Sequence, residues 1–191
     1  MPWSTRALVL AQPLAIRPVR AEDAAALAAL DAARWREGLR AGEDRAPCWA
    51  ELARPRAAAV GTRLPQLLAL TGSGTLVGAA WTTPSRDPAI GQLAVEDLIY
   101  VHPEARGLRV GRRLLARLIE DCRAQGLRRM VAVLGERGHG ASLALHYSLG
   151  FTAIGVLPGA ARRPATAGDG DGDGVILLKQ LGVAPLPPRC H

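Results

Sequence analysis

The segment Val95–Phe151 limits what this chain can fold into more than any other part of the sequence. An apolar strand over Leu93–Val101 runs into a turn with two glycines, and the turn opens a helix over Val110–Gln125. Apolar residues recur at helical spacing along that helix, and Gly126 ends it. The next strand, Met130–Leu134, is apolar throughout, which is typical of the centre of a sheet.

The rest of the chain supplies further strands and helices. The sequence predicts a helix that starts at Ala24 with Asp23 as its cap, and another over Ala141–Leu149. Further strands are expected at Leu14–Val19, Gln66–Thr71, Thr75–Thr82, Phe151–Leu157 and Val175–Leu181. This order predicts an α/β fold, a mixed sheet with helices on both faces.

A chain of 191 residues fits one domain, which is expected to span residues 14–181. Residues 1–13 and 182–191 lack periodicity and are expected to be a flexible arm and a flexible tail. Within the domain, residues 158–174 have low complexity and are expected to form a disordered loop in the last hairpin.

The sequence favours a protein of the reducing cytoplasm. No stretch approaches the roughly 20 apolar residues that cross a bilayer, and Gln12 and Pro13 interrupt the only candidate signal segment. The three cysteines, Cys48, Cys122 and Cys190, are odd in number and lack the spacing of metal ligands. We therefore expect neither a disulfide framework nor a metal site, and we expect Cys122 to be a small core residue.

The net charge of +7 comes almost entirely from arginine, since Lys179 is the only lysine. Either a compositional bias toward arginine or a phosphate-binding surface could explain this charge. The positions of the arginines along the chain distinguish the two explanations. Arginines 106, 109, 112 and 113 surround the glycine-bearing turn. Amides at the start of a helix have no intrahelical partner, and glycines allow close approach, so this turn is a candidate phosphate site.

The strand, the Arg106–Gly111 turn and the following helix resemble the acetyl-CoA-binding core of the GNAT superfamily of N-acetyltransferases. That family's turn reads Gln/Arg-x-x-Gly-x-Gly/Ala. The stretch Ala-Ser-Leu-Ala-Leu-His-Tyr-Ser-Leu-Gly-Phe at 141–151 resembles its helix-to-strand ending. With His146 in place of the usual tyrosine and Val95–Val101 upstream, the chain looks most like the phosphinothricin and methionine-sulfone acetyltransferase branch. The resemblance covers Leu14–Leu181.

The resemblance implies a mostly antiparallel sheet in which Leu93–Val101 and Met130–Leu134 are a splayed parallel pair with acetyl-CoA in the gap. Backbone groups of Ile99, Tyr100 and Val101 would pair with the pantetheine arm. Arg106 or Arg112 would add a charge-assisted bond to the pyrophosphate. The amides that would hold the pyrophosphate belong to six consecutive residues: Gly107, Leu108, Arg109, Val110, Gly111 and Arg112.

The resemblance also implies catalytic roles. Glu96 occupies the place of the base that takes the proton of the amine, although a solvated strand carboxylate is the alternative. His146 would protonate the CoA thiolate or act as a second base, although a packed histidine is the alternative. Tyr147 is a reserve acid. Asp97 should point to the opposite face from Glu96 and be structural, unless a bulge reverses the two.

The chain departs from the family pattern in three places. Arg109 stands where the turn has its central glycine; we expect this position to be helical already, which makes the exchange harmless. Gly138-His139-Gly140 replaces an asparagine that bonds the cofactor arm. Residues 158–174 replace an aromatic segment that closes over the substrate.

The function implied is an N-acetyltransferase that moves the acetyl group of acetyl-CoA to a primary amine of a small molecule, an amino acid or analogue, by direct attack. Relatives are often homodimers. The alternatives are a weakened acyl-CoA-binding or regulatory domain and a protein or peptide N-terminal acetyltransferase. Nucleic-acid binding is disfavoured because stacking aromatics are few. Residues 169–174 imitate a calcium loop but lack its twelfth-position glutamate, so calcium binding is disfavoured too.

Overall fold

The computed structural model describes residues 12–36, 64–85, 93–135, 140–161 and 172–182, together with Thr5 and Ala7, which are both helical. The expected arm therefore has structure at these two positions. Its end is also fixed, because the amide of Ser73 donates a hydrogen bond of 2.8 Å to the side chain of Gln12. The tail from residue 183 onward lies outside the described residues.

The described residues form a mixed sheet of seven strands in the order β1-β2-β3-β4-β5-β7-β6. The strands are β1 (Ala15–Pro18), β2 (Gln66–Leu70), β3 (Leu76–Pro84), β4 (Ala94–Val101), β5 (Arg129–Gly135), β6 (Thr152–Ala161) and β7 (Gly172–Gln180). The helices are α1 (Ala24–Arg36), α2 (Val110–Ala124) and α3 (Gly140–Ser148). Neighbouring strands are antiparallel except for the pair β4 and β5. The predicted fold class is confirmed.

The helices cover both faces of the sheet because each has an apolar side. Helix α2 buries Leu114, Leu115 and Leu118 against one face. On the other face, Leu27 and Leu30 of α1 belong to a second apolar cluster, which includes Trp81 and Tyr100. Two cores on opposite faces make the sheet the central layer of the protein.

Asp23 does not act as the simple cap that the sequence suggests. A short 3₁₀ turn, Ala21–Asp23, precedes α1, which begins at Ala24 as predicted. The Asp23 carboxylate accepts the amide hydrogen bond of Arg20 at 2.8 Å and two bonds of 2.7 Å from the Arg17 guanidinium. The bond from Arg17 holds the pKa of Asp23 below its usual value. Asp23 thus fastens the end of β1 to the start of α1.

The last hairpin is longer than the sequence predicts. Strand β6 reaches Ala161 and β7 starts at Gly172, so both ends of the expected disordered loop are strand. The ladder continues because backbone pairing, as between Leu157 and Gly174, needs no apolar side chain. Residues 162–171 lie outside the described part.

None of the helices in the described ranges has both the length and the apolar character that a bilayer crossing requires.

Candidate active site

A gap opens between β4 and β5 in the middle of the sheet. The two strands pair only over Ala94–Glu96 and Arg129–Val131. Beyond these residues β4 pairs with β3 alone, up to Val101, and β5 pairs with β7 alone. Val133, although it lies in a central strand, is 37% exposed. The splayed pair implied by the resemblance is therefore present, and its inner edges offer backbone groups to an extended ligand.

The turn after β4 presents a row of free amides. After a 3₁₀ turn at Pro103–Ala105 the chain passes through Gly107, with φ of 76°, and α2 begins at Val110. The first helical bond runs from the amide of Arg113 to the carbonyl of Arg109. Among the described residues, the amides from position 107 to position 112 donate no hydrogen bond. Free amides at the start of a helix, with the helix dipole behind them, have the arrangement expected of a candidate anion site.

The expectation that position 109 is already helical is wrong. Arg109 is the residue before α2 and has φ of 60° and ψ of 12°, which is left-handed backbone. An L side chain costs about 1–2 kcal/mol there, because its Cβ crowds the following carbonyl. The chain thus keeps the backbone shape of a glycine turn with an arginine in it. The exposed Arg109 side chain makes no hydrogen bond or ion pair with the other described residues, so its charge is available beside the free amides.

Replacing Arg109 by Gly should raise the free energy of unfolding by about 0.5–1 kcal/mol, the relieved strain less the greater freedom of glycine in the unfolded chain. Urea denaturation measures it. Arg109→Ala is the matched control: it removes the same charge, keeps the strained backbone and should bring no gain. Equal stabilisation by both variants would show that charge, and not backbone strain, is responsible.

The other arginines near the turn hold it to its neighbours. Arg106 donates from Nε to the carbonyl of Val101 at 3.3 Å, and its guanidinium lies 6.0 Å from the centre of the Tyr100 ring. Arg112 donates from Nη1 to Oγ of Ser148 at 2.5 Å, which joins the start of α2 to the end of α3. Each of the two arginines predicted to reach the pyrophosphate therefore already has a protein partner.

Glu96 lies where the gap opens, since it is the last residue of β4 that pairs with β5. Side chains alternate along β4: Leu98 and Tyr100 pack in the α1 cluster, whereas Val95 and Ile99 pack in the α2 cluster. The half-buried Glu96 thus shares the α1 face, and no bulge interrupts β4 against β3. Ile99, Tyr100 and Val101, predicted to bind the cofactor arm, lie along the part of β4 that has left β5.

His146 lies on the other face of the sheet and is 2% exposed. Its Nε2 is 3.1 Å from Oδ2 of Asp97, and its Nδ1 is 2.7 Å from the carbonyl oxygen of Ser142. The Phe151 ring meets the imidazole edge to face, with 4.9 Å between the centroids. Asp97 was predicted to face away from Glu96, which it does; its contact with His146, 49 positions away, was not predicted.

The electrostatics of this pair follow from its burial. Desolvation raises the pKa of Asp97, against the opposing effect of its hydrogen bond to His146. Desolvation alone would lower the pKa of His146, but the hydrogen bond and charge of Asp97 and the bond to Ser142 outweigh it, so that pKa is raised. Both shifts favour retention of the proton that lies between Nε2 of His146 and the Asp97 carboxylate.

The remaining candidates differ in their surroundings. Tyr147 is 49% exposed, unlike the buried His146 next to it. Burial raises the pKa of Cys122 to about 12, so this thiol is no nucleophile at neutral pH. His139 lies outside the described residues. The described residues contain no cluster of His, Cys, Asp and Glu fit to hold a metal ion.

This arrangement would suit an extended ligand that carries a phosphate group: the gap between β4 and β5 is elongated, the turn has free amides, and titratable groups lie on each face of β4. The sequence is also similar to those of known proteins. The family described as "Acetyltransferase (GNAT) family" matches residues 27–151. The chain belongs to the GNAT family of acetyltransferases.

Individual proteins that are similar to this chain agree with this assignment. A phosphinothricin N-acetyltransferase of Alcaligenes faecalis is 34% identical over 81% of this chain and 84% of its own length. An L-methionine sulfoximine/L-methionine sulfone acetyltransferase of Salmonella typhimurium is 47% identical, over 34% of this chain and 37% of its own. The crystal structure of a GNAT phosphinothricin acetyltransferase from Sinorhizobium meliloti, in complex with acetyl-CoA, has a TM-score of 0.73 at 30% identity, covering 88% of this chain and 89% of that one.

Proposed function

We propose that this protein transfers the acetyl group of acetyl-CoA to the primary amine of a small molecule, an amino acid or an amino-acid analogue, by direct attack. The observation that carries the proposal is the divergence of β4 from β5 next to the turn of free amides. The relatives named above support it, since methionine sulfone and methionine sulfoximine are amino-acid analogues.

The edge of β4 and the turn that follows it would bind two different parts of acetyl-CoA. Backbone groups of Ile99, Tyr100 and Val101 would pair with the pantetheine arm, as another strand would. The amides of residues 107–112 and the dipole of α2 would hold the pyrophosphate. Arg109 would add a charge there, because its side chain is exposed and without a partner among the described residues.

Glu96 and His146 are the residues that would transfer protons in the reaction. Glu96 accepts a proton from the substrate ammonium, and the free amine attacks the thioester carbonyl. The carbon–sulfur bond breaks as the new carbon–nitrogen bond is completed, and the departing thiolate takes a proton that His146 supplies. The acylated nitrogen loses its remaining extra proton to solvent, and His146 recovers from solvent the proton that it gave. Glu96 and His146 lie on opposite faces of β4, which suits an amine that approaches from one side and a thiol that leaves on the other. Tyr147, half exposed, is the alternative donor.

The direct route is supported by the state of Cys122, whose buried thiol stays protonated. Cys48 and Cys190 lie outside the described residues. Intact-protein mass spectrometry during turnover separates the routes, because an acetylated enzyme would add the mass of one acetyl group and would contradict direct transfer.

The protein should acetylate amino-acid analogues such as methionine sulfone and phosphinothricin, with release of one CoA for each acetyl group transferred. Free CoA measured with a thiol reagent and acetylated product measured by mass spectrometry would show this. Calorimetry with acetyl-CoA runs alongside as a separate readout. Binding of acetyl-CoA without acetylation of any amine, peptide N-termini included, would favour a regulatory acyl-CoA-binding domain.

Two further proposals rest on composition and family. The cysteines are odd in number and lack the spacing of metal ligands, which favours a location in the reducing cytoplasm. The frequency of homodimers among relatives favours a homodimer, which light scattering of the purified protein would test.

A further inference from the structure

The buried carboxylate of Asp97 has no part in the proton transfers described so far, yet it is the partner of the histidine proposed to supply one. It lies on β4 one residue beyond Glu96, at the point where β4 leaves β5. Asp97 is 6% exposed and its Oδ1 has no hydrogen-bond partner among the described residues. A buried carboxylate destabilises the folded protein unless its charge is paired with an opposite charge and its oxygens accept hydrogen bonds.

The contacts of His146 determine which of its nitrogens carries a fixed proton. A backbone carbonyl can only accept, so the bond of 2.7 Å to Ser142 requires that Nδ1 donate. Nδ1 is therefore always protonated in this arrangement. The second proton of the pair lies between Nε2 and the Asp97 carboxylate, 3.1 Å apart, and is the one that can be given away.

We propose that Asp97 is a positioning residue that keeps His146 protonated on both nitrogens, so that a buried imidazole can serve as the proton donor to the leaving thiolate. The proposal rests on the transferase function proposed above. A buried imidazole with no carboxylate next to it would lose its charge, because desolvation favours the neutral form. Asp97 opposes this loss directly, and the carbonyl of Ser142 stabilises the same charged form from the other side.

Other groups near the pair do not replace this effect. On α2, Cys122 remains a neutral thiol whose pKa the Asp97 charge helps to raise. On β7, the Lys179 ammonium lies 5.9 Å from the ring centre of Phe151, whose ring also contacts His146, and a positive charge cannot favour a protonated imidazole. Glu96, the adjacent carboxylate on β4, faces the α1 side. Tyr147, next along α3, is exposed. Asp97 is thus the carboxylate in contact with His146 among the described residues.

The test substitutes Asp97 by Asn, which has the same shape and no charge. The amide of Asn would donate to Nε2 and so stabilise the neutral imidazole with its proton on Nδ1. We expect kcat at pH 8 to fall about ten- to hundredfold, since each unit of lowered pKa reduces the protonated fraction tenfold. The difference in kcat between Asp97→Asn and the parent protein should become smaller as the pH is lowered, because His146 is protonated again in acid. Asp121→Asn, which removes a surface carboxylate paired with Arg117, is the matched control and should leave the profile unchanged.

Nitrogen-15 NMR of labelled histidines tests the pair without any turnover, with His146→Gln used to assign the signals. We expect a doubly protonated ring at pH 7 in the parent protein and a ring protonated on Nδ1 alone in Asp97→Asn. A neutral His146 in the parent protein would overturn the inference whether or not the protein acetylates amines. A loss of kcat that is equal at every pH would also overturn it, and would leave the proposed function standing. If no amine is acetylated, the proposed function fails, and with it the role of the pair in proton donation.

Discussion

Substitution of Glu96 by Gln should lower kcat by about 10²–10⁴-fold, the range that a positioned general base contributes. Gln keeps the size and polarity of the side chain but cannot accept the ammonium proton. The affinity for acetyl-CoA should change little, because the amides of the turn that would hold its pyrophosphate are formed by other residues. Steady-state kinetics across pH and calorimetry with acetyl-CoA measure the two quantities separately.

The pH dependence distinguishes a base from a residue that merely shapes the site. At high pH the substrate amine loses its proton to water, so the deficit of Glu96→Gln should narrow as the pH rises. Glu120→Gln, on the exposed side of α2, carries the same change of charge and should behave like the parent protein. Full activity of Glu96→Gln at pH 7 would remove Glu96 from the mechanism.

Substitution of His146 by Phe should have the largest effect on stability, with a loss of about 3–5 kcal/mol in the free energy of unfolding at neutral pH. The loss arises because Asp97 stays buried after its partner, the His146 imidazole, has been removed. Burial already raises the pKa of Asp97, and removal of His146 raises it further. Chemical denaturation at several pH values measures the difference between the variant and the parent protein.

The sign of the pH effect follows from linkage. A carboxyl group whose pKa is raised by folding contributes stability at low pH, below its unfolded value, and this stability is lost as the pH rises through the folded value. The deficit of His146→Phe should therefore be small in acid and grow toward neutral pH. A second variant, His146→Phe with Asp97→Val, removes both partners and should be more stable than His146→Phe alone at pH 7. If the double variant is the less stable of the two, the buried charge is not the cause.

Much of the fold could be predicted because it depends on local patterns. The apolar spacing of α2 predicted Val110–Gln125, and the helix spans Val110–Ala124. Strand β5 was predicted as Met130–Leu134 because it is apolar throughout, and it spans Arg129–Gly135. The divergence of β4 and β5 was expected from the resemblance alone, since no local pattern shows which strands become neighbours.

The parts that were missed depend on backbone angles or on distant contacts. The left-handed backbone at Arg109 was missed because the residue is not glycine, although its position matches the central glycine of the family's turn, which was a signal for it. The bond between Asp97 and His146 joins residues 49 positions apart, and only the packing of α3 on β4 brings them together. The alternation of side chains along a strand correctly predicted that Asp97 and Glu96 lie on opposite faces. A local rule of this kind cannot predict which distant residue each side chain contacts.

The bond between Arg112 and Ser148 joins the helix that follows β4 to the helix that follows β5. Together with the contact between Asp97 on β4 and His146 on α3, it holds α3, which follows β5, to β4 and to α2. Because both contacts form without a ligand, we expect little ordering of the protein to accompany binding between β4 and β5. We therefore expect the gap between β4 and β5 to accept a single extended chain more readily than a branched or bulky one.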